Sequence, residues 1–303
     1  FMRVAIKETI KKRTPFLFSV ISGIKSWVLS FLVTEQKKKL LKKIEQFFSN
    51  DHEMAEIISF LRANTAEMIP YFFTKEYSNI PIQLTKVDRL WRASFNGTTI
   101  YYPAEMTGDY VLRSFRVGLM EQDIRSPHKY LPIGSVDIGG DVAVLCGASD
   151  CIYALQIISK FKKIYLFEAN PIWLEPIRTT MRDYLHKIEI VPFFVSDKTG
   201  PNMITLDDFF RDRNEKIDYL QADIEGDEIK MLKGASSILS QSKDIKIAIC
   251  CYHSAKQKDE LAFFLSDMNY EIQCRSGYVL MWMEYPLRAP YLRKAVLYAS
   301  KKA

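Results

Sequence analysis

Residues 217–234, IDYLQADIEGDEIKMLKG, constrain the fold of this chain most, because an apolar strand runs directly into an acidic turn and then into an amphipathic helix. The pattern predicts a strand from Ile217 to Ile224. It places Asp223, Glu225 and Asp227 around Gly226, and starts a helix over Glu228 to Leu239 whose apolar stripe begins with Ile229, Met231 and Leu232. In an open α/β sheet, ligands sit outside the carboxyl ends of the strands, so this turn is a candidate site. The alternative is a plain helix N-terminus, where Asp and Glu favour the helix dipole whatever the function.

The surrounding segments repeat the alternation from about Gly140 onward. DVAVLCGASD precedes a helix over Ile152 to Lys160, and KKIYLFEANP precedes a helix over Trp173 to Tyr184. KIEIVPFFVS, the acidic strand and DIKIAICCYH follow, the last leading into a helix over Ala255 to Asp267 with Ser254 as its expected N-cap. Strands alternating with helices predict an α/β fold, a Rossmann-like and mostly parallel sheet covered by helices on both faces. The run Val136-Asp137-Ile138-Gly139-Gly140 reads as a lead-in strand and turn, with the first sheet strand at Val142 to Cys146.

Within that frame a nucleoside site can be placed. Gly147-Ala148-Ser149 forms the turn after the first strand, where small residues let a ligand approach the backbone and its amides. Glu168 ends the second strand, 21 residues beyond Gly147, where a carboxylate can accept both hydroxyls of a ribose. Asn170 stands beside it. Four histidines occur. His52 and His186 are expected at the surface. His253 closes the fifth strand, and His128 lies in the turn Ser126-Pro127-His128, so both are candidates for proton abstraction or for structural hydrogen bonds. Glu121, Gln122 and Asp123 are either ligands for sugar hydroxyls or a helix end. The five cysteines lack paired C-x-x-C spacing and read as buried free thiols. Acidic residues are abundant, but no metal-ligand set is legible, and a divalent metal stays open.

The segments Gly147-Ala148-Ser149, Glu168-Ala-Asn-Pro, Thr205-Leu-Asp-Asp and Asp223-Ile-Glu-Gly-Asp-Glu resemble, in order and spacing, the FkbM family of S-adenosylmethionine-dependent O-methyltransferases. The resemblance covers roughly the last two-thirds of the chain. It is most specific at the D-x-E-G-x-E turn with Lys233-Gly234-Ala235, and at T-L-D-D. It implies S-adenosyl-L-methionine as cofactor and a hydroxyl of a sugar or glycan-linked small molecule as acceptor. It assigns Gly147, Ala148, Ser149, Glu168, Asn170, Ser196 and Asp223 to the cofactor, and places Asp223 near the transferred methyl group, with His253, His128 and Glu225 as catalytic candidates. Glu225 and Glu228 are alternatively caps of the following helix. Two positions depart from the family: Leu145 stands where it has an acidic residue, and Cys151 where it has a glycine. Asp150 is the candidate substitute for the lost carboxylate. The segment from Glu121 to His128, with Asn96-Gly97 and Tyr101-Tyr-Pro upstream, resembles the pre-domain of one branch.

With 303 residues, 48% hydrophobic and 26% charged, the chain is long enough for such a domain plus an N-terminal region. The expected division is a helical basic arm over 1–77, a small mixed region over 78–133 with a hairpin at Asn96-Gly97, and the cofactor domain over 134–303. Residues 1–50 carry 11 Lys or Arg against 3 Glu, a balance of +8, which leaves −2 for the remainder. A nucleic-acid groove is therefore not expected in the cofactor domain. The apolar stretch 15–33 contains Lys25 and four serines, so a helix packed on its own domain or a second subunit, or lying on a membrane surface, is expected over a spanning one. The chain shows no secretory cleavage pattern, and a cytoplasmic location is expected, with attachment to the inner membrane face as the alternative. Competing functions are a non-catalytic interaction protein that keeps the fold, and a nucleic-acid methyltransferase.

Overall fold

The computed structural model describes residues 40–46, 53–131, 138–281 and 289–301. The stretch 15–33 and Asp137 lie outside these residues, as does His52.

Seven strands form the central sheet: β4 (Gly140–Cys146), β5 (Phe161–Phe167), β6 (Ile188–Val191), β9 (Ile217–Ala222), β10 (Lys246–Cys250), β11 (Tyr270–Cys274) and β14 (Val296–Lys301). Three short strands precede it, β1 (Gln83–Val87), β2 (Leu90–Phe95) and β3 (Thr98–Tyr102), and the pairs β7–β8 (Phe194–Val195, Met203–Ile204) and β12–β13 (Val279–Leu280, Leu292–Arg293) lie beside it. The spatial order is β11-β14-β10-β9-β4-β5-β6. β4 pairs in parallel with both β5 and β9, and β14 is antiparallel to β10 and β11. From β4 the chain first builds outward through β5 and β6, then returns to the other side with β9 and β10. The order thus reverses between β4 and β9, and the crevice above that point is where an α/β sheet binds ligands.

Both faces of the sheet are buried, as a period of two on apolar strands requires. Ala143, Leu145, Tyr219, Ala248 and Cys250 point into one core. Val142, Val144, Cys146, Leu220, Ala222, Ile247 and Ile249 point into the other. The first core also takes in Ile44 from a helix over 40–46, and Ile57 and Phe60 from α1 (Glu53–Ala63). These helices are therefore a layer on the sheet. The second core is covered by α5 (Leu206–Phe210), α6 (Glu228–Lys233), α7 (Ser236–Gln241) and α8 (Gln257–Asp267).

The hairpin forms at Asn96-Gly97, whose φ values of 47° and 79° give the turn that matches strand twist. With α2 (Gly108–Glu121), capped by the Thr107 side chain, it makes a third cluster around Ile100, Tyr102, Val111 and Phe115, which joins the main body through Ile152 of α3 (Ile152–Ile157). Three predicted helices differ in detail. The helix expected over Glu228 to Leu239 breaks at Gly234-Ala235, because a β-carbon at Gly234 would overlap the carbonyl oxygen of Ser196 and the Gly234 carbonyl accepts the Asp207 amide at 2.9 Å. α8 starts at Gln257 with Lys256 as cap, so Ser254 is not the N-cap; its carbonyl instead accepts the Gln257 amide. The 173–184 segment is an α-helix, α4 (Leu174–Thr180), flanked by 3₁₀ turns. No helix among the described residues is long and apolar enough to cross a membrane.

Candidate functional site

A cavity of about 590 Å³ opens above the reversal point, within the range of small-molecule sites. Gly147, Ala148, Ser149 and Asp150 line it beyond β4, and Glu168 and Asn170 beyond β5. Phe193, Phe194 and Val195 line it beyond β6, Asp223, Glu225 and Asp227 beyond β9, and the end of α2 with Tyr130 forms a further wall. Six lining residues are carboxylates, Glu121, Asp150, Glu168, Asp223, Glu225 and Asp227, and no lysine or arginine lines the cavity among the described residues. Such a surface favours a cationic ligand.

At Gly147, with φ +87°, a β-carbon would overlap the carbonyl oxygen of Asp223, so glycine lets the ends of β4 and β9 meet. The Gly147 and Ala148 amides donate to the Phe167 carbonyl at 3.0 and 3.3 Å, and the Ser149 amide donates to Glu168 Oε2 at 3.0 Å. The turn therefore offers space beside the cavity, while its amides donate to protein acceptors. The Ser149 amide thereby fixes Glu168, whose Oε1 also accepts the Asn170 amide at 2.8 Å. A carboxylate held at both oxygens keeps lone pairs for two neighbouring hydroxyls. The Asn170 side chain accepts the Ile172 amide at 3.3 Å and caps the next turn. Ser196 does not line the cavity: its amide donates to Ile204 and its hydroxyl to Asp197 Oδ1. Cys151 is buried at φ 62°, a conformation that glycine adopts without the steric cost carried by a β-carbon. Leu145 and Asp150 both line the cavity, and burial pushes the Asp150 carboxyl up to about 6, against the pull of the Ile152 amide.

Asp223 is the centre of a polar network. Tyr130 donates its hydroxyl to Oδ2 at 2.8 Å, His253 Nε2 lies 3.3 Å from Oδ1 and His128 Nε2 lies 3.6 Å from Oδ2. Burial raises the Asp223 carboxyl, but the His253 hydrogen bond, the neighbouring imidazoles and the Tyr130 hydroxyl outweigh it and hold the group well below the ordinary range. His253 is itself held between two carboxylates, with Nδ1 3.3 Å from Glu228 Oε1. Burial lowers its pKa, while Asp223 and Glu228 together lift it to about 10. The two carboxylates favour the charged imidazolium, which suits the structural one of the two expected roles better than proton abstraction. His128 is fully buried, its ring packed between Tyr130 and Tyr252, and burial drives its pKa down. Neither histidine lines the cavity. Glu225 does line it, at the exposed mouth.

A pH prediction follows from His253. Its folded pKa lies above the unfolded value of about 6.5, so the stability it contributes is complete below that pH and is lost as pH rises through about 10. The melting temperature is expected to fall across this window, and to fall less in His253→Gln. Equal slopes for the two proteins would show that the loss arises elsewhere.

Four parts of the network escape a sequence reading. Glu228 caps no helix end. It is fully buried, and its Oε1 accepts the turn amides of Ile224 at 2.9 Å and Gly226 at 3.4 Å, while Gln257 donates to Oε2. Tyr130 makes the hydrogen bond from the 124–131 loop to Asp223, with His128 of the same loop 3.6 Å away. Arg275 clamps that loop by donating to the carbonyls of Ser126 at 2.6 Å, Leu131 at 3.1 Å and Ile124. Tyr252 places its hydroxyl 3.2 Å from His128 Nε2. Only Glu228 had a signal, as the last acid of the D-x-E-G-x-E turn.

Two ligand-type groups share Asp223, one with His128 and Cys250 and one with Glu228 and His253. Protein donors engage the Asp223 and Glu228 oxygens, while Nδ1 of His128 and Nδ1 of His253 are buried without a hydrogen-bond partner. The five cysteines are free, four of them buried, and burial raises every thiol, which leaves them poor nucleophiles.

Residues 179–272, which carry T-L-D-D, the acidic turn and Glu228, match the family model described as the methyltransferase FkbM domain. The resemblance to the FkbM family holds. The matched segment carries a methyltransferase domain signature, and it lies in a mostly parallel sheet whose order reverses between β4 and β9. Among solved structures it is similar to an FkbM methyltransferase from Methylobacillus flagellatus KT, at 21% identity over 64% of this chain and 56% of that one, with a TM-score of 0.45. It is also similar to an rRNA methylase from Streptococcus thermophilus, at 15% identity over 54% of this chain and 87% of that one, with a TM-score of 0.38. A ribosomal protein L11 methylase from Lactobacillus delbrueckii subsp. bulgaricus shares 12% identity over 63% of this chain and 80% of that one, with a TM-score of 0.39. The chain thus spans little more than half the length of the FkbM methyltransferase it matches. No curated protein matches it.

Proposed function

We propose that this FkbM-like chain is an S-adenosylmethionine-dependent O-methyltransferase acting on a hydroxyl of a sugar or glycan-linked small molecule in a reducing cytoplasm. The observation that carries the reading is the carboxylate-lined cavity at the reversal point, with Glu168 fixed by the amides of Ser149 and Asn170. A cationic sulfonium suits such a lining, and Phe193, Phe194 and Val195 offer an apolar side for a base. S-adenosylmethionine supplies a methyl group already activated on sulfur, so the protein's share is to align the acceptor and exclude water. Glu168 would accept the ribose hydroxyls. Asp223, kept ionised by His253 and fixed by Tyr130, would place negative charge beside the cationic centre. His253 holds Asp223 in position and moves no proton.

Calorimetric titration of S-adenosylmethionine and S-adenosylhomocysteine tests the site before an acceptor is known. Saturable binding by the wild type is expected, weakened roughly 10- to 100-fold in Glu168→Ala, as loss of hydrogen bonds to a charged group implies. Well-folded wild-type protein that binds neither compound would sink the reading and favour a non-catalytic interaction protein that keeps the fold. Full methyl transfer in excess chelator would exclude an essential exchangeable divalent ion. The acidic lining disfavours a polyanionic acceptor, which makes a nucleic-acid methyltransferase the weaker alternative.

A further inference from the structure

We propose that Glu121 takes the proton from the acceptor, and that the acceptor is an uncharged hydroxyl. The inference rests on the methyltransferase reading of the cavity and names its base. Glu121 is the last residue of α2 and lines the cavity beside Gln122 and Tyr130, on the wall built by the 108–130 region. A carboxylate is unfavourable at a helix C-terminus, so nothing in the local structure calls for an acid there. Among the described residues, no hydrogen bond or ion pair engages its side chain.

The other carboxylates fail as bases on geometric grounds. Asp223 has both oxygens committed to Tyr130 and His253. Glu168 has each oxygen held by a backbone amide and its remaining lone pairs assigned to the ribose hydroxyls of the proposed cofactor, and Asp150 Oδ1 accepts the Ile152 amide at 3.1 Å. Glu225 stands at the mouth with its side chain 94% exposed to solvent and its Oε2 3.9 Å from His253 Nε2. Asp227 is paired with Lys230 at 2.7 Å, which leaves Glu121 as the lining carboxylate of the described residues with neither oxygen in a hydrogen bond or ion pair. Asp223, Asp150 and Glu225 face it, Tyr102, Tyr130 and Tyr252 are its other titratable neighbours, and no cation of the described residues is among them. Like charges around one cavity cannot all ionise together, and burial with these three acids lifts the Glu121 carboxyl well above its ordinary value. A cation in the cavity reverses this and frees the carboxylate when it is needed.

The step balances. Glu121 accepts the hydroxyl proton as the acceptor oxygen bonds the methyl carbon. The carbon–sulfur pair returns to sulfur, leaving a methyl ether, a neutral thioether and a protonated Glu121. The same lining repels a phosphorylated or carboxylated acceptor, which restricts substrates to neutral polyols.

Calorimetry at pH 7 in buffers of different ionisation enthalpy reads the proton directly. S-adenosylmethionine differs from S-adenosylhomocysteine in its methyl group and the sulfonium charge that group creates. Wild-type protein is expected to release more protons with the first than with the second, and Glu121→Gln is expected to bind both while losing that difference. With a panel of neutral mono- and disaccharides, Glu121→Gln should lower kcat by about 10²- to 10⁴-fold, with the cofactor KM little changed, and Glu121→Asp should restore part of it. An unchanged proton difference in Glu121→Gln, or a kcat within threefold of wild type, would overturn the assignment. Preference for a phosphosugar over its neutral counterpart would overturn the acceptor class. Failure of wild type to bind either nucleoside removes the methyltransferase reading itself, and this inference with it.

Discussion

Gly147→Ala is expected to abolish binding of S-adenosylhomocysteine and to destabilise the protein. The new β-carbon would overlap the Asp223 carbonyl oxygen, which is backbone and cannot swing aside, and it would sit at φ +87°. Overpacking costs about 1–3 kcal/mol, and the left-handed backbone adds about 1–2 kcal/mol for a residue with a side chain. The ends of β4 and β9 would have to part, and with them the Ser149 amide that fixes Glu168 and the Asp223 carboxylate beyond β9. Calorimetric titration and thermal denaturation of the variant check this. A stable protein that binds normally would mean that the strand ends have slack absent from the present packing.

Asp223→Asn is the second large effect. The amide keeps the shape of the carboxylate but removes the charge that faces His253 and the cavity. Methyl transfer is expected to fall by about 10²- to 10³-fold, the loss typical of a preorganised electrostatic group. His253 keeps only Glu228 as a close buried partner, so its pKa moves down from about 10, and the fall in melting temperature between pH 6.5 and 10 becomes shallower. Stability at neutral pH should drop by roughly 1.5–3 kcal/mol, the value of a hydrogen bond to a charged group. A purely structural role would move the melting curve and leave kcat of the folded fraction unchanged; a loss in both is expected.

The two variants separate what the local sequence specifies from what long-range packing adds. The acidic turn can be read from the chain because its parts are contiguous: an apolar strand, a glycine at φ +104° and a helix start. Glu168 can be read for the same reason, as the acid just past an apolar strand. The roles of the histidines cannot, because a histidine at a strand end fits either a base or an ion-paired imidazolium. The difference lies in Glu228, buried and fixed by the amides of Ile224 and Gly226, which faces the other side of the ring. Ser196 was placed by analogy of segment, yet Gly234 packs against its carbonyl from a distant element.

Sequence alone determined the alternation of strands and helices, the parallel sheet and the edge at which a ligand would sit, since hydrophobic periodicity and turn chemistry act over a few residues. Tertiary structure decided which carboxylates share a cavity, which are silenced by amides and which histidine carries charge. Those outcomes depend on partners far apart in the chain: Tyr130 with Asp223, Glu228 with Gln257, and Arg275 with the 124–131 loop. A pKa or a free lone pair is a property of that assembled neighbourhood, and no local pattern encodes it.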